Sequence, residues 1–181
     1  MTTAREATKY ILDRAARMVE SGDGSVQDAV DAIRSASRVF VYGVGRSGLV
    51  ARAFAMRLVQ LGLDCYFIGE TITPIVKSGD LVVIVSNTGS TMSAVQTANI
   101  ARRVGAGVLS VTGSRASKLS QASNVSLTIM EIKDGRRARY APLGTLFETA
   151  ALILLDGIVA HVMKELGETE ASMRSRHAIM V

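Results

Sequence analysis

Ser86-Asn87-Thr88-Gly89-Ser90-Thr91 gathers five hydrogen-bonding side chains around one glycine. It follows Leu81-Val82-Val83-Ile84-Val85, which reads as a buried strand, and precedes Met92 to Val104, which reads as a helix. A helix N-terminus leaves backbone N–H groups unpaired and turns its positive end toward whatever sits there. Hydroxyls around a glycine turn add donors without a full charge, so strand, loop and helix together form a seat for a phosphate. The competing reading is an ordinary turn with a Ser or Thr helix cap, which needs only one such residue.

Gly43-Val44-Gly45-Arg46-Ser47-Gly48 is the second glycine loop, directly after the strand Val39 to Tyr42 and opening a helix, Ser47 to Leu61. It fits G-x-G-x-x-G, and Glu70 lies at the end of the next strand, where a dinucleotide site carries its ribose-binding acid. Arg46-Ser47 places a cation and a hydroxyl in the middle of that motif, and a dinucleotide site leaves the hydroxyl loop at 86–91 unexplained.

Glu148 is the candidate base. It opens an otherwise apolar helix, Leu143 to Glu165, and an acid set among apolar residues suits proton transfer near neutrality. Thr145-x-x-Glu148 also fits a capping box, so a purely local role stays open. Of the two histidines, His161 suits a helix C-terminus, whereas His177 in Ser175-Arg176-His177 has no evident structural task. The single cysteine, Cys65, gives no internal disulfide and reads as a buried small residue.

The elements that must position these residues alternate. Two amphipathic helices, Ala4 to Glu20 and Ser25 to Ser35, break at Gly22-Asp23-Gly24. Strands are predicted at 39–42, 64–68, 80–85, 107–111 and 124–129, with helices at 47–61, 92–104 and 114–121 between them. That pattern calls for an α/β fold: a doubly wound, five-stranded parallel sheet in the order 2-1-3-4-5, with helices on both faces. In that order the first and third strands lie side by side, so both glycine loops face one crevice.

The 181 residues suit one domain, with the helices of 1–37 packed on it and a helical segment at 166–181. With 48% apolar and 20% charged residues the chain is globular. It shows neither a signal peptide nor an apolar run of about 18 residues, which implies a cytoplasmic protein and no membrane. The net charge of +5 is compatible with nucleic acid, with an anionic small substrate, or with neither. The basic run Arg136-Arg137-Ala138-Arg139, just past Lys133, lacks an aromatic stacking platform, so nucleic acid is not expected and a solvated loop is. Phe54, Met56, Leu58, Val59 and Leu61, with Ile153, Leu154, Ile158, Val159 and Val162, make two helices apolar nearly all round. Subunit packing as a dimer or tetramer is the expected reason.

The two loops resemble the signature loops of the sugar isomerase (SIS) domain family. Gly69-Glu70-Thr71-Ile72-Thr73-Pro74, Phe54-Ala55-Met56-Arg57-Leu58, Pro142 to Ala150 and Arg176-His177 narrow the resemblance to its 6-phospho-3-hexuloisomerases. Ser90 departs from it, standing where many SIS loops carry a charged residue. The resemblance implies reversible isomerisation of D-arabino-hex-3-ulose 6-phosphate to fructose 6-phosphate in the ribulose monophosphate pathway of formaldehyde fixation. It implies no cofactor and no metal, and a hexulose-phosphate synthase as functional partner. Glu148 would be the base, with His177 reaching a site from a neighbouring subunit. Gly45, Arg46, Ser47, Ser86, Asn87, Thr88, Gly89, Ser90 and Thr91 would bind substrate, with pairing to an acid on another helix as the equal alternative for Arg46. A sugar-phosphate sensor without turnover, which would keep the loops but need no Glu148, is the alternative beside the dinucleotide reading.

Overall fold

A computed structural model describes residues 3–131 and 134–179, so Lys133 lies outside the described residues. Strands β1 (Val39–Gly43), β2 (Cys65–Phe67), β3 (Leu81–Ser86), β4 (Gly107–Thr112) and β5 (Val125–Thr128) form one sheet in the order β2-β1-β3-β4-β5. Every pairing is parallel, as the alternating pattern predicts. All of β3 is buried, because a central parallel strand is covered on both faces and its side chains all stay apolar until Ser86.

One face of the sheet carries α1 (Thr3–Glu20), α2 (Val26–Ser35), α3 (Gly45–Gln60) and α7 (Thr145–Glu165) over the larger core. The other carries α4 (Met92–Arg103) and the one-turn α5 (Lys118–Gln121) over a smaller one centred on Phe40, Val82, Ile84 and Val108. Odd and even strand residues therefore divide between two cores, the period of two of an extended chain. The turn between α1 and α2 closes the open edge: Asp23 and Thr128 exchange backbone hydrogen bonds of 2.9 and 2.8 Å.

Three sequence expectations are corrected. The helix predicted over 114–121 is a single turn, because Ser117 caps it, its hydroxyl accepting from the Ser120 N–H at 3.2 Å. The basic run at 136–139 is solvent-facing as expected, but instead of a hairpin or loop it leads into the one-turn α6 (Arg137–Tyr140), with Arg139 on Tyr140 and Arg136 on Tyr10. And α7 is apolar and long enough to cross a bilayer by length and composition, with mean hydropathy 1.7. It packs against α1, α2 and α3, and Glu148 and Asp156 interrupt it, as suits a core helix. A final short helix, α8 (Glu170–Ser175), is tied back by Arg176, which donates to the Gln60 carbonyl at 3.1 Å and to Glu168 at 2.8 and 3.0 Å.

Candidate active site

The parallel register sets Gly43 at the end of β1 beside Val85 near the end of β3, so the two glycine loops leave the sheet as neighbours. In the first loop, a methyl group on Gly43 would lie 2.8 Å from the Gly48 nitrogen, and one on Gly48 would lie 2.6 Å from the Gly43 carbonyl oxygen. The outer glycines thus let the first turn of α3 press backbone against backbone on β1. In the second loop Gly89 adopts φ +58°, and a methyl group there would meet the Ser117 hydroxyl at 2.2 Å. Only glycine satisfies both demands.

Between the loops lies a cavity of about 110 Å³, lined by Val44 and Ser47 on one side and by Ser86, Asn87, Thr88 and Thr91 on the other. Ser86 donates weakly to the Thr91 hydroxyl at 3.4 Å, and the Asn87 carbonyl is anchored by the Gly113 N–H at 2.8 Å. The helices that open here carry no side-chain cap: α3 begins at Val44 and α4 at Thr91, neither of which bonds its own helix's N–H groups. The hydroxyls at 86–91 are therefore not spent on capping α4, and amides and hydroxyls together present donors to the cavity.

Glu148 sits in the first turns of α7, with its carboxylate touching the Arg46 guanidinium. The Glu148 side chain is 12% exposed and that of Arg46 65%. Arg46 adjoins Ser47, so this ion pair ties the carboxylate to the first glycine loop, although neither residue lines the cavity itself. A methyl group on Gly144 would come within 2.8 Å of the other carboxylate oxygen, so Gly144 makes room for Glu148. The capping-box reading fails: the helix starts from Gly144, Thr145 is already inside it, and the Thr145 hydroxyl donates to the Pro142 carbonyl at 2.7 Å. Glu148 is one position too late to reach back to the cap.

The structure brings Ser47, Ser86, Asn87, Thr88 and Thr91 into one cavity and pairs Arg46 of the first loop with Glu148 of α7. Gly45, at φ +58°, shapes the first loop without lining the cavity. Gly89 accepts the Leu119 N–H at 2.9 Å, and Ser90 turns its hydroxyl onto Thr88 at 3.0 Å; neither faces the cavity. His177 lies with Arg57 and Gln60 at the far end of α3, its Nδ1 2.8 Å from the Ala178 carbonyl oxygen. Ser47 and Gln60 are thirteen residues apart in sequence, about 20 Å along the helix, so His177 does not reach the crevice of its own chain. Glu70 pairs with Arg52, whose guanidinium stacks 3.6 Å from the Phe67 ring, so the acid of the dinucleotide reading is engaged in a side-chain tie. Burial pushes the Cys65 thiol up to about 12, which keeps it protonated and unreactive. Of the two readings open for Arg46, the structure shows the pairing with an acid on another helix, and that acid is Glu148. What sequence alone missed is the acid's identity and the room made by Gly144.

A doubly wound sheet with uncapped helix starts and hydroxyls at its switch point defines a class of α/β protein with an arrangement suited to an anion there. Residues 32–154 match the model of the SIS domain. The chain is 38% identical over 153 residues to the 3-hexulose-6-phosphate isomerase of Methanocaldococcus jannaschii, covering 82% of this chain and 79% of that one. It is 32% identical over 152 residues to the 3-hexulose-6-phosphate isomerase of Bacillus subtilis, covering 82% of each. The crystal structure of a hypothetical protein, 34% identical, superposes with a TM-score of 0.91 over 98% of this chain and 97% of its own. The chain belongs to the SIS domain family, and it is an isomerase of that family.

Proposed function

We propose that the chain interconverts D-arabino-hex-3-ulose 6-phosphate and fructose 6-phosphate, with Glu148 as the single base. The observation that carries this reading is the Arg46–Glu148 pair set against the loop whose hydroxyls line the cavity. The named relatives support the choice of sugar. The phosphate takes the donors of 86–91 and the first amides of α4, which fixes the far end of the sugar and leaves its reacting carbons toward Glu148. Glu148 removes the proton from C2 beside the C3 carbonyl, an enediolate forms, and the same carboxyl returns the proton to C3. The Arg46 guanidinium, beside the carboxylate, is placed to balance the negative charge that passes to the sugar oxygens. No step in this scheme calls for a cofactor or a metal.

Self-association accompanies the proposal. Leu49, Met56 and Val59 on α3 and Leu152 and Ile153 on the adjoining α7 are exposed, an apolar surface that a second copy would cover. In such a dimer or tetramer His177 would serve a neighbouring copy's crevice. A cytoplasmic enzyme of the ribulose monophosphate pathway, fed by a hexulose-phosphate synthase, is the setting this reaction implies. Formation of fructose 6-phosphate from the 3-hexulose tests it: steady turnover by the purified chain supports the reading. Tight sugar-phosphate binding with no turnover would make the protein a sensor instead.

A further inference from the structure

A larger cavity, about 410 Å³, lies away from the crevice, between α1 and α6. Its acids are already engaged. Asp134 accepts from the Tyr10 hydroxyl at 2.8 Å and from the Arg136 N–H at 2.9 Å, and it also binds the Arg14 guanidinium. Asp13 pairs with Lys9 at 2.9 Å, and Glu6 accepts from the Tyr140 hydroxyl at 3.1 Å. The guanidinium groups of Arg17 and Arg136, which also line the cavity, have no acidic partner among the described residues. Arg136 is not loose: its guanidinium rests 5.3 Å from the centre of the Tyr10 ring, which is buried and itself 5.7 Å from the Tyr140 ring. Two forks without a salt-bridge partner among the described residues thus line a cavity of metabolite size, one of them pre-positioned on an aromatic wall.

We infer that this cavity is a second binding site, for a small phosphate-bearing metabolite. Guanidinium forks match phosphate oxygens two at a time, which suits this class above a monovalent anion. The Tyr10 ring is covered by arginines, so no open aromatic face remains to stack a base, and a nucleotide fits less well than a sugar phosphate. The site connects to the base through one continuous segment. Arg137, next to Arg136, donates to the Leu143 carbonyl and pairs with Glu131. Leu143 holds φ +57°, the only positive φ outside glycine among the described residues, and Gly144 after it backs onto the Glu148 carboxylate. A ligand that draws Arg136 inward shifts α6, and with it the turn that seats Glu148. Occupancy of the second site therefore changes turnover as well as binding, a consequence that rests on the proposed role of Glu148.

The binding test needs no turnover. In an amide chemical-shift titration with inorganic phosphate, two groups of signals are expected to move with separate affinities, around Asn87 to Ser93 and around Arg136 to Tyr140. Arg17→Ala with Arg136→Ala is expected to weaken the second response at least tenfold and leave the first unchanged. Ser86→Ala with Thr88→Ala should do the reverse. Arg136→Lys, which keeps the charge and loses the fork, guards against a folding defect and should give an intermediate loss. A wild-type response confined to 87–93, or a second response that survives Arg17→Ala with Arg136→Ala, overturns the site. In kinetics with the 3-hexulose, phosphate should lower kcat in the wild type and act only against KM in that double variant. Purely competitive inhibition in both would remove the link to Glu148. Absence of any turnover would count against the isomerase reading while leaving the binding result to stand.

Discussion

The helices around the crevice and most of those away from it begin differently. Ser25 caps α2, Ser117 caps α5 and Thr169 caps α8, each hydroxyl accepting an N–H of its own first turn. The two helices that open on the crevice, α3 and α4, start at Val44 and Thr91 without any such bond, as does α7, at Gly144, whose Glu148 pairs with Arg46 of the first loop. Away from the crevice only the one-turn α6, from Arg136, shares this among the described helix starts. A missing cap costs a helix about 1 kcal/mol. Thr91 has a hydroxyl and does not use it for its own helix, so composition alone does not explain the difference. On the proposed function, stability is forgone at α3 and α4 where a ligand would take the unpaired amides.

The largest effect that could break this contrast lies at α7. Glu148→Gln keeps the volume and forfeits the ion pair with a well-exposed Arg46, so stability should hold to within about 1 kcal/mol. Glutamine takes up no proton, and loss of a general base commonly costs on the order of 10²–10⁴ in rate. We expect kcat to fall at least a hundredfold, together with exchange of the substrate's C2 proton with solvent. Activity within about fivefold of wild type would leave Glu148 as a partner for Arg46 and nothing more.

Next come the hydroxyls of the second loop. Ser86→Ala and Thr88→Ala should each raise KM about tenfold with kcat little changed, since a lost hydrogen bond to a charged group costs roughly 1.5–3 kcal/mol. An unchanged KM in the double variant would take the phosphate out of this loop. Ser25→Ala sharpens the contrast from the other side. The Ser25 hydroxyl accepts the Asp28 N–H at 3.0 Å, far from either glycine loop in the chain. Its loss should destabilise the fold by about 1 kcal/mol, a fall of roughly 2–4 °C in the thermal midpoint, and leave KM unchanged.

The smallest effect concerns the far end of α3. Hydrogen bonds from Arg176 and then Ser172 hold the Glu168 carboxyl at about 2, below its ordinary 4.5. A lowered carboxyl stabilises the fold above pH 4.5 and loses that contribution as pH falls toward 2. Protection factors in α8, taken against the intrinsic exchange rate at each pH, should therefore fall across that window while those in β3 hold. At neutral pH, Glu168→Gln frees Arg176 and loosens the seat of His177 without touching the crevice of its own chain. A fall in kcat from that change would mean that His177 serves another copy; unchanged kcat would argue against it.

Much of this was legible in the residues. β3 could be read because a strand buried on both faces leaves an unbroken apolar run, and the two loops because glycine and hydroxyls cluster where strands end. The short helices were not. A single turn has no periodicity to read, and α5 and α6 owe their form to Ser117 over Gly89 and to Arg136 on Tyr10. The capping-box pattern misled because a shift of one residue in the helix start, to Gly144, moves Glu148 out of reach. The partner of Glu148 was hidden for another reason: Arg46 stands 102 residues away, and only the fold brings them together.

A co-crystal structure with fructose 6-phosphate tests the central claim most directly. The phosphate oxygens are expected within about 3 Å of the Ser86, Thr88 and Thr91 hydroxyls and of the amides that open α4, with C2 and C3 facing the Glu148 carboxylate at a similar distance. A phosphate bound elsewhere, or reacting carbons turned away from Glu148 with the phosphate in place, would contradict it.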